Sequence, residues 1–287
     1  MNAEFDMRRT PARPDLAAAW LRGRVSAARF VEGRAMRIVR EVADMRGEPR
    51  PDAALSTQAL FGERVMVYED QEGWVWGQLA RDDYVGYLDA TAVAPDAGRA
   101  PTHRVIAPRT FVYPTLSMKA PVVMALPMGA EVEVVAERGD FCETHNLGCI
   151  WSEHLAPLDA SVADFVAIAE TFEHAPYLWG GKTWQGVDCS GLVQVALREA
   201  GVAAPRDTDM QAGEIGAPVP VPADLGDLRR GDLIFWRGHV GIMRDTKMLL
   251  HANGRHMKVA SEPLAEARAR ILAKSFGPVV AVRRIGG

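Results

Sequence analysis

Lysine is scarce in this chain, with five in 287 residues, although arginine brings the basic total to 33 against 37 acidic residues. A net charge of −4 with no lysine-rich run excludes a basic footprint for nucleic acid and an electrostatic membrane anchor. Long apolar runs are also missing. Near the N-terminus the longest is Leu16 to Leu21, six residues, too short for a membrane span or a signal-peptide core. The expectation is therefore a soluble, cytoplasmic protein. Cysteine is limited to Cys142, Cys149 and Cys189, an odd and small set that argues against a disulfide scaffold. An important cysteine here is expected to work as a thiol. Hydrophobic residues at 48% and charged residues at 24% are ordinary for globular chains, and the length fits two or three domains.

The pattern changes along the chain. Residues 1–30 form an irregular arm, with a short Ala-rich helix expected from Asp15 to Leu21 and Asp15 as its N-cap. From about Ala53 to Pro95 the apolar period becomes two. Val65 and Val67 alternate with polar positions, Trp74-Val75-Trp76 follows Gly73, and Tyr84 to Leu88 reads as another strand. That segment then repeats: Gly62-Glu-Arg-Val-Met-Val-Tyr68 resembles Gly129-Ala-Glu-Val-Glu-Val-Val135, 67 residues on, and Trp74 falls on Phe141. Gly86-Tyr-Leu88, ending at Val93-Ala-Pro95, matches Gly148-Cys-Ile150, ending at Leu155-Ala-Pro157. Two small β-barrels are expected, over 31–98 and 99–159, and Cys142 and Cys149 would be small hydrophobes of the second.

Residues 160–287 look different. Ser161 to Glu173 carries apolar residues at helical spacing, with Ser161 as the expected cap, and a second helix opens at Asp188-Cys189-Ser190-Gly191 and stops at Gly201. Strand-like runs follow at Leu233–Trp236, Val240–Met243, Met248–Leu250 and Val279–Val282. Helices followed by strands indicate an α+β domain.

With Asp188 as N-cap, Cys189 lies in the first helical turn, where unsatisfied N–H groups and the helix dipole favour a thiolate. His239 and His251 flank the turn-like Asp245-Thr246-Lys247. A hairpin pivoting near Asp245 makes them direct cross-strand partners, so that one imidazole takes the thiol proton while the other orients it. A zinc site lacks an obvious fourth ligand, and no metal or cofactor is expected. The bland alternative is a buried structural cysteine and two unrelated histidines.

Pro176-Tyr-Leu-Trp-Gly-Gly181, Val187-Asp-Cys-Ser-Gly-Leu192, Gly231-Asp-Leu-Ile-Phe235 and His239-Val-Gly-Ile242, ending with His251-Ala252, together resemble the NlpC/P60 cysteine peptidases. With the repeated N-terminal modules, the resemblance points to the γ-D-glutamyl-L-diamino acid endopeptidase branch. It implies a papain-like catalytic domain over 160–287 behind two SH3-like β-barrels. By position, Cys189 would be the nucleophile, His239 the base and His251 the residue that orients it. Tyr177 would line the cleft, and Arg206-Asp207-Thr208-Asp209-Met210-Gln211 matches a motif in which Asp207 meets the substrate's free amino terminus. Ser190 and Thr208 would line that pocket beside Asp188, with Glu63 and Tyr84 closing over it. Thr208-x-x-Gln211 also reads as a helix capping box.

The implied substrate is a murein peptide with a free N-terminal L-alanine, and the implied setting is peptidoglycan recycling. Two other readings stand beside it: a muramoyl-L-alanine amidase or acyltransferase on a related fold, and a non-catalytic wall-binding protein.

Overall fold

A computed structural model describes residues 5–221 and 226–286. The chain divides into two compact units, 1–158 and 159–287.

In the first unit the alternation seen in sequence becomes a seven-stranded sheet. Its order is Leu55–Leu60, Val42–Arg46, Val85–Asp89, Trp74–Leu79, Arg64–Gln71, Arg34–Ile38, Val93–Pro95. Val65 and Val67 point inward to Ile38, Met45, Leu79 and Leu88, while Arg64 and Met66 face outward. Glu72 and Gly73, at φ 53° and 82°, form the tight turn between Arg64–Gln71 and Trp74–Leu79.

A second set of strands, between His103 and Pro157, forms sheets of three and five strands around Val105, Val112, Leu126, Cys142 and Ile150. Here the internal repeat has a structural counterpart. The hairpin Arg64–Gln71/Trp74–Leu79 has its counterpart, 67 residues on, in Val134–Arg138/Phe141–Thr144, with the start of the long strand split off as Glu131–Val132. Register shifts fall between Val67 and Glu69 and between Val134 and Ala136, again 67 apart. Each half ends with a strand, one 3-10 turn (Ala90–Ala92 or Ser152–His154) and a three-residue strand.

The expected helix from Asp15 to Leu21 is not formed. Leu16–Ala18 is a strand paired in parallel with Arg29–Val31, and only Ala19–Leu21 makes a 3-10 turn. Burial overrides alanine's helix propensity here: Leu16, Ala17, Ala18 and Leu21 are fully buried, which extended backbone permits and a surface helix would not. Asp15 does not cap; its carboxylate pairs with Arg13 at 2.8 Å. The arm packs on the first sheet, where Arg13 also reaches Glu69 (2.6 Å) and the Tyr87 hydroxyl (2.6 Å).

The second unit is a six-stranded antiparallel sheet in the order Ala217–Val219, Val279–Arg284, Asp232–Trp236, His239–Met243, Met248–Asn253, Lys258–Pro263. Helix α1 is Phe165–Glu170, capped by Asp164, whose carboxylate accepts from the Val166 and Ala167 N–H groups; Ser161, the expected cap, lies outside it. Helices α2 (Cys189–Glu199), α3 (Thr208–Glu214) and α4 (Leu264–Lys274) follow. α2 lies against the strands His239–Met243 and Met248–Asn253, while α4 packs with Trp236, Met243 and Leu249. The central strands are covered on both faces, so they read as unbroken apolar runs. Lys258–Pro263 escaped the sequence reading because Lys258, Ser261, Glu262 and Pro263 interrupt its apolar pattern.

Candidate active site

The site is built on the start of α2. Asp188 is in extended backbone and accepts hydrogen bonds from Gly191 N–H (2.7 Å), closing the helix end, and from Gly180 N–H (2.8 Å). The buried Arg206 guanidinium grips both carboxylate oxygens, at 3.1 and 2.6 Å, and donates to the Ser190 hydroxyl at 2.8 Å. Gly191 is required by a close approach, since a Cβ there would lie 2.2 Å from the Gly181 carbonyl oxygen. Asp188, Ser190 and Arg206 thus form one buried polar frame under the cysteine.

Cys189 is 7% exposed, with its thiol 3.9 Å from the Thr208 hydroxyl and facing the Val240 N–H. The expected thiolate is not favoured. Burial and the Asp188 carboxylate push the thiol up to about 11, outweighing the hydrogen bonds from Val240 and Thr208 and the charge of Arg206. His239 is likewise held neutral: burial, with help from His251 and Arg270, takes it down to about 3.

The two histidines meet, but in a different register from the expected one. Ile242 pairs with Leu250 and Met243 with Leu249, so the hairpin pivots at Thr246 rather than Asp245. His239 and His251 are therefore diagonal rather than directly opposed. A two-residue offset keeps both on one face, because strand side chains alternate with period two. His239 Nε2 lies 2.8 Å from His251 Nδ1, and His251 Nε2 lies 2.8 Å from Glu262 Oε1. Arg270 of α4 holds both Glu262 oxygens at 2.5 Å, and its guanidinium with His251 brings that carboxylate down to about 2.

This chain of bonds fixes proton positions. Glu262 is ionised and accepts, so His251 carries its proton on Nε2 and offers a bare Nδ1. His239 must then donate from Nε2, which leaves its Nδ1 as the basic atom. The His239 ring stacks on Phe276, with centroids 5.4 Å apart and 12° between planes. Glu262 and Arg270 were not singled out from sequence. Glu262 became findable only once Lys258–Pro263 was a strand pairing His251 with Ala260, which puts Glu262 two residues along on the same face.

The other expected residues are distributed as follows. Tyr177 is half-buried and lines a cavity with His239 and His251; burial, then Cys189 and Asp188, raises its hydroxyl. Asp207 occupies the N-cap position of α3, where its carbonyl accepts from the Gln211 N–H at 2.9 Å but its side chain makes no capping hydrogen bond, and Thr208 is the first helical residue. The capping box is not made: the Gln211 amide instead donates to the Ser190 and Pro205 carbonyls, at 3.0 and 2.9 Å, tying α3 to α2. Glu63 and Tyr84 belong to the first unit. Glu63 is a buried carboxylate ion-paired with Arg81, which also meets Glu131 at 3.0 Å, and Tyr84 is part of that unit's core. Among the described residues no group of three His, Cys, Asp or Glu side chains is arranged to hold a metal, and no helix is long and apolar enough to cross a membrane.

The NlpC/P60 family model matches residues 174–271. The "probable endopeptidase NlpC" of Escherichia coli (strain K12) is 34% identical over 122 residues, spanning 37% of this chain and 75% of that protein. The chain belongs to the NlpC/P60 family. It is a cysteine peptidase, with a papain-like catalytic unit and a bacterial SH3 domain at its N-terminal side. Residues 45–93 match the model described as "Bacterial dipeptidyl-peptidase Sh3 domain". The "Gamma-D-glutamyl-L-lysine dipeptidyl-peptidase" of Bacillus subtilis (strain 168) is 28% identical over 70% of this chain and 73% of its own. An NlpC/P60 family protein from Bacillus cereus ATCC 10987 shares the fold, with a TM-score of 0.71 and 20% identity over 87% of this chain and 99% of that one.

Proposed function

We propose that this peptidase hydrolyses the bond between γ-D-glutamate and a diamino acid in cell-wall peptides with a free N-terminal L-alanine. The observation that carries the reading is Cys189 at the start of α2, its thiol facing the N–H of Val240, the residue after His239, whose imidazole belongs to a histidine pair with tautomers fixed by Glu262. The Bacillus subtilis relative named for γ-D-glutamyl-L-lysine supports the choice of bond.

Because thiol and imidazole both rest neutral, the reaction starts by general-base catalysis. His239 Nδ1 takes the Cys189 proton as sulfur attacks the glutamyl γ-carbonyl. The imidazolium so formed keeps its Nε2 bond to His251, and the Glu262 charge offsets the new positive charge through that ring. Backbone N–H groups at the start of α2 stabilise the oxyanion. Collapse breaks the C–N bond, and His239 gives its proton to the leaving amine. Water, activated by the same histidine, then cleaves the thioester and frees the cysteine.

Asp207 is assigned to the substrate's ammonium group, with Ser190, Thr208 and Tyr177 around it. Peptides with a free N-terminal alanine arise after the bond to muramic acid is cut, which supports a place in cytoplasmic recycling of released fragments. The test compares L-Ala-γ-D-Glu-diaminopimelate with its N-acetylated form by mass spectrometry. Acetylation should lower kcat/KM by about 10- to 100-fold, the worth of a charged hydrogen bond, and Asp207→Asn should erase most of that difference. Equal rates on both peptides would contradict the amine pocket, and preference for intact sacculi would favour the amidase reading.

A further inference from the structure

The His239 imidazole is buried, yet the side chain that covers it is not. Phe276 stacks on the ring, with centroids 5.4 Å apart and 12° between planes, while remaining 42% exposed. His239 itself is only 4% exposed. The phenyl ring therefore stands between the imidazole and solvent. One edge of it also meets the turn before His239, since a Cβ on Gly238 would lie 3.9 Å from two of its carbons. Trp236, the cross-strand partner of His239, is a second aromatic neighbour, with ring centroids 5.7 Å apart.

The backbone explains how Phe276 comes to lie there. α4 ends at Lys274, and the Ser275 N–H still donates to the Ile271 carbonyl at 3.1 Å. Gly277 then takes φ 75°, which turns the chain towards the strand Val279–Arg284. α4 thus serves the histidine pair twice, through Arg270 on Glu262 and through Phe276 just beyond its end. Stacking covers a face of the imidazole but leaves both nitrogens free, because they lie in the plane of the ring. A flat neighbour restricts rotation of the imidazole, and an aromatic face attracts the cation that it becomes during the reaction.

We infer that Phe276 is a positioning residue of the peptidase, orienting the His239 imidazole and keeping water from it. The inference rests on His239 being the base. His251 and Glu262 act on His239 from neighbouring strands and Arg270 from α4, while α2 brings the Cys189 thiol to the Val240 N–H. Tyr177, Arg255 and Lys274 line the cavity beside the ring. Phe276 carries no charge, so replacing it changes the access of water to His239 and none of these groups. It also stands outside the buried core of the unit, which its replacement leaves in place.

The experiment compares the full chain with Phe276→Ala and Phe276→Tyr. The imidazole is followed by NMR of protein carrying 13C-labelled histidine, its signal assigned with His239→Gln, from about pH 8 to about pH 5. In the unaltered protein and in Phe276→Tyr, His239 should stay neutral throughout. In Phe276→Ala it should take up a proton within that range, because burial is the main cause that holds it down and the cover is gone. On L-Ala-γ-D-Glu-diaminopimelate, Phe276→Ala should lower kcat by about 3- to 10-fold with little change in KM, the worth of one aromatic pair. The acid limb of kcat should move to higher pH in the same variant, and Phe276→Tyr should restore both. Identical titration of His239 in all three proteins, or a kcat and acid limb unmoved in Phe276→Ala, would overturn the role of Phe276 and leave the peptidase reading intact. Undiminished turnover in His239→Gln would overturn the base assignment and the inference with it.

Discussion

At the residue scale, the main correction concerns the resting state of Cys189. A helix start lowers a thiol's pKa, but here burial and the neighbouring Asp188 carboxylate win, and the thiol rests at about 11. His239, at about 3, is too weak a base to hold the proton before substrate arrives. Alkylation of Cys189 by iodoacetamide should therefore rise about tenfold per pH unit between pH 6 and 9, with no plateau at low pH. A pH-independent plateau below pH 7 would reveal a preformed thiolate–imidazolium pair. The choice of cysteine was legible because Asp188 and Ser190-Gly191 mark a helix start. The sign of its pKa shift was not, because it is set first by burial, which only the packing of distant parts of the chain creates, against the opposing pull of Val240, Thr208 and Arg206.

At the element scale, the site depends on three adjacent strands rather than one hairpin. His239, His251 and Glu262 stand one per strand, and α4 adds Arg270 behind them. The sequence revealed the first two strands through their apolar runs. The third was hidden by its polar residues, and the chemistry ended at His251 for that reason. Glu262 is a positioning residue, and Glu262→Gln should lower kcat by about 10- to 100-fold with little change in KM. The amide can still accept from His251, but it carries no charge to offset the imidazolium or hold Arg270. A rise in KM at constant kcat would show that Glu262 serves substrate binding instead.

The same elements set an acid limit on stability. A histidine buried neutral binds its proton in the unfolded chain near pH 6.5 but in the folded one only near pH 3. Below about pH 6.5 the unfolded state takes up the extra proton, so stability falls as pH drops towards 3, by up to about 1.4 kcal/mol per pH unit for His239. Urea unfolding at pH 7 and pH 5 should show this loss, and His239→Gln should reduce it. An unchanged pH dependence in that variant would contradict the assignment.

For the whole molecule, the internal repeat was the most legible feature of the first unit, because 67-residue spacing preserves strand, turn and even the register shift. The arm before it was misread, since Leu16 to Ala18 look helical until burial is known. Those residues close the first unit: Leu16→Ala should cost about 2 to 5 kcal/mol, as for other buried large-to-small changes, and denaturant unfolding would measure it. The catalytic unit was legible from four short motifs, yet the residues that hold them together, Arg206, Gln211, Glu262 and Arg270, act through partners far away in sequence. The central claim is that Cys189 carries the glutamyl group during turnover. The most direct measurement is acid-quenched intact mass and peptide mapping during cleavage of L-Ala-γ-D-Glu-diaminopimelate. The account predicts a mass increase equal to the L-alanyl-D-glutamyl acyl group on the peptide containing Cys189, absent from Cys189→Ala along with all turnover. Acylation elsewhere, or product formed at an undiminished rate by Cys189→Ala, would contradict it.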